Sequence, residues 1–163
     1  MNIFVTDQNP KICAMSLCDK HAVKMILESG QMLSTAHRLC NGSTDVYKTA
    51  YQNHPCTIWT RQTDANYMWH LELFVHMCAE YQYRYKKIHT TYSKLINQLL
   101  TIPSGIPNGE LTPFPCCMPD EYKISSNVFH NYRWFICNKP FPRVWTKRSP
   151  PFWFVDHTNQ LLK

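Results

Sequence analysis

With 163 residues, 44% of them hydrophobic, the chain can bury a core and is too apolar for a disordered tail. No apolar run approaches the roughly 20 residues of a membrane span, so a helical membrane protein is excluded. The net charge of +6 is uneven. From Arg133 onward, Arg133, Lys139, Arg143, Lys147, Arg148 and Lys163 face the single acid Asp156.

In chain order, Met1 to Asp7 lacks the basic start and apolar stretch of a signal peptide, so an intracellular protein is expected. Ile3–Val5 is at most one short strand. Asn9-Pro10 supplies a capping side chain and a first-turn proline, opening a helix through Leu17. Asp19 is placed to cap a helix over Lys20–Leu39, closed by Asn41-Gly42. His54-Pro55 starts a short helical piece that carries Trp59. Thr63 and Asp64 cap the longest helix, expected to reach about Ile88 and to resume after Thr91 as far as Leu100. Five prolines and two glycines make residues 101–122 a long ordered loop. Ser125 or Ser126 caps a last helix to about Asn138. Pro140, Pro142, Pro150 and Pro151 make 139–163 a basic, aromatic loop. The expectation is an all-α fold: one helical domain over 1–163, with long ordered loops.

On the helix after Asp19, Ala22, Val23, Ile26, Leu27, Gly30, Leu33 and His37 share one side and are expected in the core. His21, Lys24, Glu28, Gln31 and Thr35 run along the other at steps of three and four residues. A histidine, an amine and a carboxylate in one small volume can support general acid–base or Schiff-base chemistry. A solvated helix face carries the same kind of stripe, so spacing alone does not assign catalysis. On the long helix, Leu71, Phe74, Val75, Cys78, Gln82 and Tyr85 form the core stripe. Asn66, Trp69, His76, Glu80, Tyr83, Arg84 and Lys87 are expected on the exposed side, where Trp69 and Tyr83 can serve contact or base stacking.

Eight cysteines occur without a CxxC pair, and the eight histidines form no HxxxH or HExxH pattern. Free thiols, no zinc and no cofactor are the expectation. The C-terminal basic residues, interleaved with Trp134, Phe135, Phe141, Trp145, Phe152, Trp153 and Phe154, suit phosphate contact and base stacking. They equally suit a segment that lies on the body and buries its rings.

The chain resembles a family of small phage- and virus-encoded proteins. The shared stretches are Asn2-Ile3-Phe4-Val5, Asp19-Lys20-His21 through Gln31-Met32-Leu33, His54-Pro55, Asn66-Tyr67-Met68-Trp69 and Met118-Pro119-Asp120-Glu121-Tyr122. That resemblance by itself implies no reaction. Three further patterns resemble the pyrimidine dimer DNA glycosylases, the endonuclease V type of T-even phages. They are Asp19-x-His21 with Glu28 seven residues on, Glu80-x-x-x-Arg84 after an apolar stripe, and the cluster Tyr132-Arg133-Trp134-Phe135. The resemblance implies a compact helical enzyme that flips a base out of double-stranded DNA and cleaves its glycosidic bond. Glu28 would be the catalytic carboxylate, His21 its neighbour, and the aromatic basic cluster a DNA contact. That family attacks the sugar with the α-amine of a small residue exposed by removal of Met. Asn2 departs from the pattern, being large enough to leave Met1 in place, so either Lys24 substitutes as the amine or the chain has no lyase chemistry.

The leading expectation is therefore a DNA glycosylase, with or without lyase activity, or a base-modifying transferase. A non-catalytic nucleic-acid binder and a protein that binds a host protein through exposed aromatics are the readings from other classes. Glu28, His21 and Lys24 are expected to line one cleft that Arg84 also reaches. Lys20, Gln31, Trp69, Arg84, Lys87, Arg133, Trp145, Lys147 and Arg148 are expected to contact nucleic acid.

Overall fold

In the computed structural model, which describes residues 1–161, the chain is all-helical. The helices are α1 (Pro10–Ser16), α2 (Asp19–Leu39), α3 (Pro55–Thr60), α4 (Asp64–Tyr85), α5 (Thr90–Leu99), α6 (Val128–Cys137) and α7 (Phe152–Leu161). A 3₁₀ turn spans Asp120–Tyr122. Lys163, counted above among the C-terminal basic residues, lies outside the described residues. No helix among them is long and apolar enough to cross a membrane.

Local chemistry sets most helix starts. Asn9 accepts from the Lys11 and Ile12 amides ahead of Pro10, His54 accepts from the Cys56 amide ahead of Pro55, and Thr63 accepts from the Asn66 amide. Four boundaries differ from expectation. Asp19 is the first residue inside α2, not its cap; Cys18 holds the cap position without a side-chain bond. Lys86 adopts the left-handed region and stops α4, and His89 caps α5 separately. Asn127, not Ser125 or Ser126, caps α6. The 139–163 segment is not a loop throughout, because Pro151 opens α7 with its carbonyl accepting from the Phe154 and Val155 amides.

No strand occurs among the described residues, and the expected one at Ile3–Val5 has a specific obstacle. Phe4 sits at φ 46°, which no strand permits. The Asn2 side-chain oxygen accepts from the Ile3 and Phe4 amides at 2.8 and 3.3 Å, curling the segment back on itself.

α4 is the hub: α1, α2, α3 and α5 all pack on it. Enclosure from several sides overrides the expected exposed face, and Asn66, Trp69, Glu80 and Arg84 are buried together with Leu71, Phe74 and Cys78. Conversely Gln82 of the expected core stripe is exposed. α2 carries the same kind of correction. Val23 and Leu27, placed in the core by period, are each 43% exposed, while His21, Glu28 and Thr35 are buried. Gly30 allows α5 to cross α2 closely, since a β-carbon there would come within 2.5 Å of Thr91 Cγ2. The 101–122 loop is ordered by α4: the Asn66 side chain bonds the Thr112 hydroxyl and amide, and the Pro107 carbonyl accepts from the Asp64 amide.

Candidate active site

A cleft of about 410 Å3 opens along the first three turns of α2. Lys20, His21, Lys24, Met25 and Glu28 line it at helical steps of one face. Met1, Asn2 and Phe4 form a second wall, and Phe135, Lys139 and Phe141 a third. The volume lies within the range of small-molecule sites and suits an extruded nucleotide better than an intact duplex. Three lysines surround one carboxylate, so the mouth attracts phosphate while the floor keeps a negative charge.

Glu28 is only 9% exposed. Its Oε2 accepts from the Asn2 amide at 2.9 Å and lies 3.8 Å from the α-amine of Met1. Lys24 Nζ stands 3.2 Å from Oε1. Two amines therefore flank one carboxylate, and they differ in setting. The Lys24 side chain is 66% exposed at the rim, whereas Met1 buries its thioether in the wall and keeps its main chain partly exposed.

The wall that holds Met1 is built by Asn2. Its side chain donates to Cys117 O at 2.6 Å, and its oxygen lies 2.9 Å from the Tyr132 hydroxyl. Tyr132 also meets Pro115 O and the Cys117 amide, fastening the 112–118 segment to α6. Phe4, in its left-handed conformation, stacks near His21 with ring centroids 4.7 Å apart. Backbone strain held by surrounding bonds is common where a functional group must be aimed.

His21 is buried, and its Nδ1 has no hydrogen-bond partner. Burial, followed by the charges of Lys139, Lys24, Lys20 and Arg143, pushes its imidazole down to about 4. The ring is neutral at physiological pH, with Nδ1 turned into the protein. The shift has a consequence for stability. An unfolded histidine protonates near 6.5, so the folded state binds fewer protons between that pH and about 4. His21's contribution is full above 6.5 and is lost as pH falls toward 4, by about 3 kcal/mol over the window. His70, also buried and pushed down to about 3, acts in the same sense. The denaturation midpoint should fall steeply from pH 6.5 to 4, and His21→Gln should flatten part of that fall. An unchanged slope in the variant would remove His21 as a cause.

The remaining nucleic-acid candidates scatter. Lys20 lies in the cleft, where its ammonium sits 4.4 Å from the Phe141 ring centroid. Gln31 is half-buried beyond it. Trp69 is buried, its indole donating to Gln8 O at 2.8 Å, and Trp145 is buried with its indole on Ser16 O at 3.0 Å. Neither ring is offered to a base. Arg133 donates to Thr6 O and approaches Asp7. Arg148 is forked onto Glu80, and exposed Lys147 reaches toward Tyr83 O. Lys87 is exposed. Arg84 does not reach the cleft: its side chain is wholly buried among Glu80, Asp19 and two carbonyls that end α1. The shared-cleft expectation is corrected on that point, because packing in three dimensions places Arg84 behind the start of α2. Phe4, Met25, Lys139 and Phe141 are cleft residues given no role from sequence, whereas Phe135 belonged to the cluster expected at DNA. Phe135, Phe141 and Lys139 stood in the flagged aromatic and basic cluster, which was the available signal.

One group behind the cleft wall brings two of the free thiols together with a histidine. The ligand atoms of His54, Cys56 and Cys117 lie within 4.8 Å of one another. The Cys117 thiol is pulled below its ordinary value, chiefly by the Cys56 thiol hydrogen-bonded to it, while Cys56 is raised. All eight cysteines are free of disulfides.

In comparison with known protein families, residues 1–93 match the model described as pyrimidine dimer DNA glycosylase. No curated protein and no solved structure matches the chain. The matched stretch holds Met1, Asn2, His21, Lys24 and Glu28, while Phe135, Lys139 and Phe141 lie beyond it.

Proposed function

The chain belongs to the pyrimidine dimer DNA glycosylase family, and on that premise we propose that it excises a damaged or modified base from double-stranded DNA at the α2 cleft. The observation that carries this reading is the Glu28 carboxylate at the cleft floor with an α-amine 3.8 Å away. Lys20, Lys24 and Lys139 hold the flanking phosphates, and the extruded nucleotide enters between Phe4, Phe135 and Phe141. As the glycosidic bond breaks, the base leaves with the bonding electrons and positive charge builds on the sugar. Glu28 faces that charge and stabilises it. His21, neutral and lining the cleft, hydrogen-bonds the nucleotide through Nε2, since Nδ1 is buried.

The nucleophile in this reading is the Met1 amine rather than Lys24. It lies 3.8 Å from Glu28 Oε2, and the adjacent Asn2 amide is fixed on the same carboxylate oxygen. Removal of Met1 would leave an α-amine on Asn2 in that same place, so either form of the chain presents one. Attack at C1′ releases the base, and ring opening gives an imine that borohydride reduces to a stable amine. Trapping on DNA that carries pyrimidine dimers or an abasic site, followed by peptide mapping, should place the adduct on the N-terminal peptide. An adduct on Lys24 moves the nucleophile there; base release without an adduct means water attacks instead. Failure to release a base from any damaged duplex would sink the glycosylase reading itself.

A further inference from the structure

We propose that His54, Cys56 and Cys117 form a site for one thiophilic divalent cation of the zinc class. Two thiolates and an imidazole match the softness of such an ion and neutralise its charge, so a half-buried site carries no net charge when filled. The Cys56 amide donates to His54 Nδ1 at 3.2 Å, which puts the ring proton on Nε2. That lone pair is already used by the amide, so His54 binds the ion at Nδ1 by giving up this cap bond, or at Nε2 in the other tautomer.

The reach is short. A tetrahedral zinc holds two sulfurs about 3.8 Å apart at ordinary bond lengths, so ligand atoms already within 4.8 Å need close by about 1 Å at most. A Cys56–Cys117 disulfide needs a sulfur separation of about 2.05 Å and no histidine. The three-residue set thus fits the ion with less movement than the bond. Both cysteines ligate as thiolates, and their two protons pass to solvent on binding. Water completes the fourth position.

The three ligands come from separate places: the cap of α3, its first turn, and the loop that Tyr132 holds on α6. Cys117 also accepts from the Asn2 side chain through its carbonyl. An ion here would tie the 112–118 loop to α3 beneath the N-terminal wall of the cleft. The proposal stands independently of the reaction, because its readout is metal coordination.

Cobalt(II) titrated into the reduced, metal-free chain is the direct test. One equivalent should produce thiolate-to-cobalt charge-transfer absorption with the intense visible bands of a tetrahedral site, and zinc should abolish both. Cys117→Ser and His54→Gln should lose the charge-transfer signal at one equivalent, while Cys40→Ser keeps it. In the unaltered chain, zinc should protect half-buried Cys117 from alkylation and leave Cys116 reactive, a readout that needs no variant to fold. Absence of the bands, their persistence in Cys117→Ser, or equal alkylation with and without zinc overturns the proposal. So does isolation of a Cys56–Cys117 disulfide whose reduction yields no metal uptake.

Discussion

Glu28→Gln should lower base excision by about 10²–10⁴-fold, the usual span for removing a positioned acid–base or charge-stabilising group. Affinity for damaged DNA should hold or tighten slightly. Gln keeps an acceptor for the Asn2 amide, which Glu28 binds at 2.9 Å, so the N-terminal wall stays in place. What disappears is the negative charge facing the sugar, and with it a local repulsion of phosphate among Lys20, Lys24 and Lys139. Single-turnover excision and equilibrium binding on the same duplex separate the two quantities. A variant that turns over normally returns Glu28 to the role of a buried structural carboxylate. An unaltered chain that binds but releases no base, with Glu28→Gln changing that binding little, points to a non-catalytic binder.

The parts of this molecule readable from sequence are those decided within a few residues. Asn9-Pro10, His54-Pro55 and Thr63 gave caps because a cap is a contact between near neighbours. His21, Lys24 and Glu28 converge because steps of three and four residues on one helix leave no alternative. What that spacing could not supply was the sign of exposure. Period alone put Val23 and Leu27 inside and His21 and Glu28 outside, whereas the N-terminal segment and the 135–141 region cover the polar stripe and leave the two apolar residues at the surface. α7 was obscured by the prolines ahead of it, read as loop markers although Pro151 stands directly before Phe152 and its carbonyl takes the first amides of the helix. The His54, Cys56 and Cys117 group has no linear spacing to recognise, since its third member arrives from a loop 61 residues later. Trp69 and Arg84 failed the same way: polar or amphipathic side chains on a helix enclosed from several sides find partners from distant elements.

Arg84→Ala should destabilise the fold by about 3–5 kcal/mol, the range for breaking a buried ion pair by removing one partner. The guanidinium donates to Glu80 Oε1 at 2.7 Å, Asp19 Oδ1 at 3.0 Å, Leu17 O at 2.8 Å and Met15 O at 3.2 Å. It satisfies carbonyls where α1 ends and a carboxylate where α2 begins, so it fixes the direction in which α2 leaves and with it the cleft residues two turns later. Truncation takes the guanidinium from the Leu17 and Met15 carbonyls and strips one of two cations from Glu80, whose own side chain is 4% exposed. Arg148 remains on Glu80 as a forked pair at 2.9 Å, and Thr146 remains on Asp19, which limits the loss. Arg84→Met paired with Glu80→Gln should cost less than Arg84→Ala alone, because no buried charge is stranded and the aliphatic stem is replaced. High salt should barely change the difference, since the group is shielded from solvent ions. Urea denaturation of the three chains measures this directly. If Arg84→Ala instead keeps full stability and weakens DNA binding with a shallower salt dependence, the guanidinium is a phosphate contact and not the fastening of α4 to the start of α2.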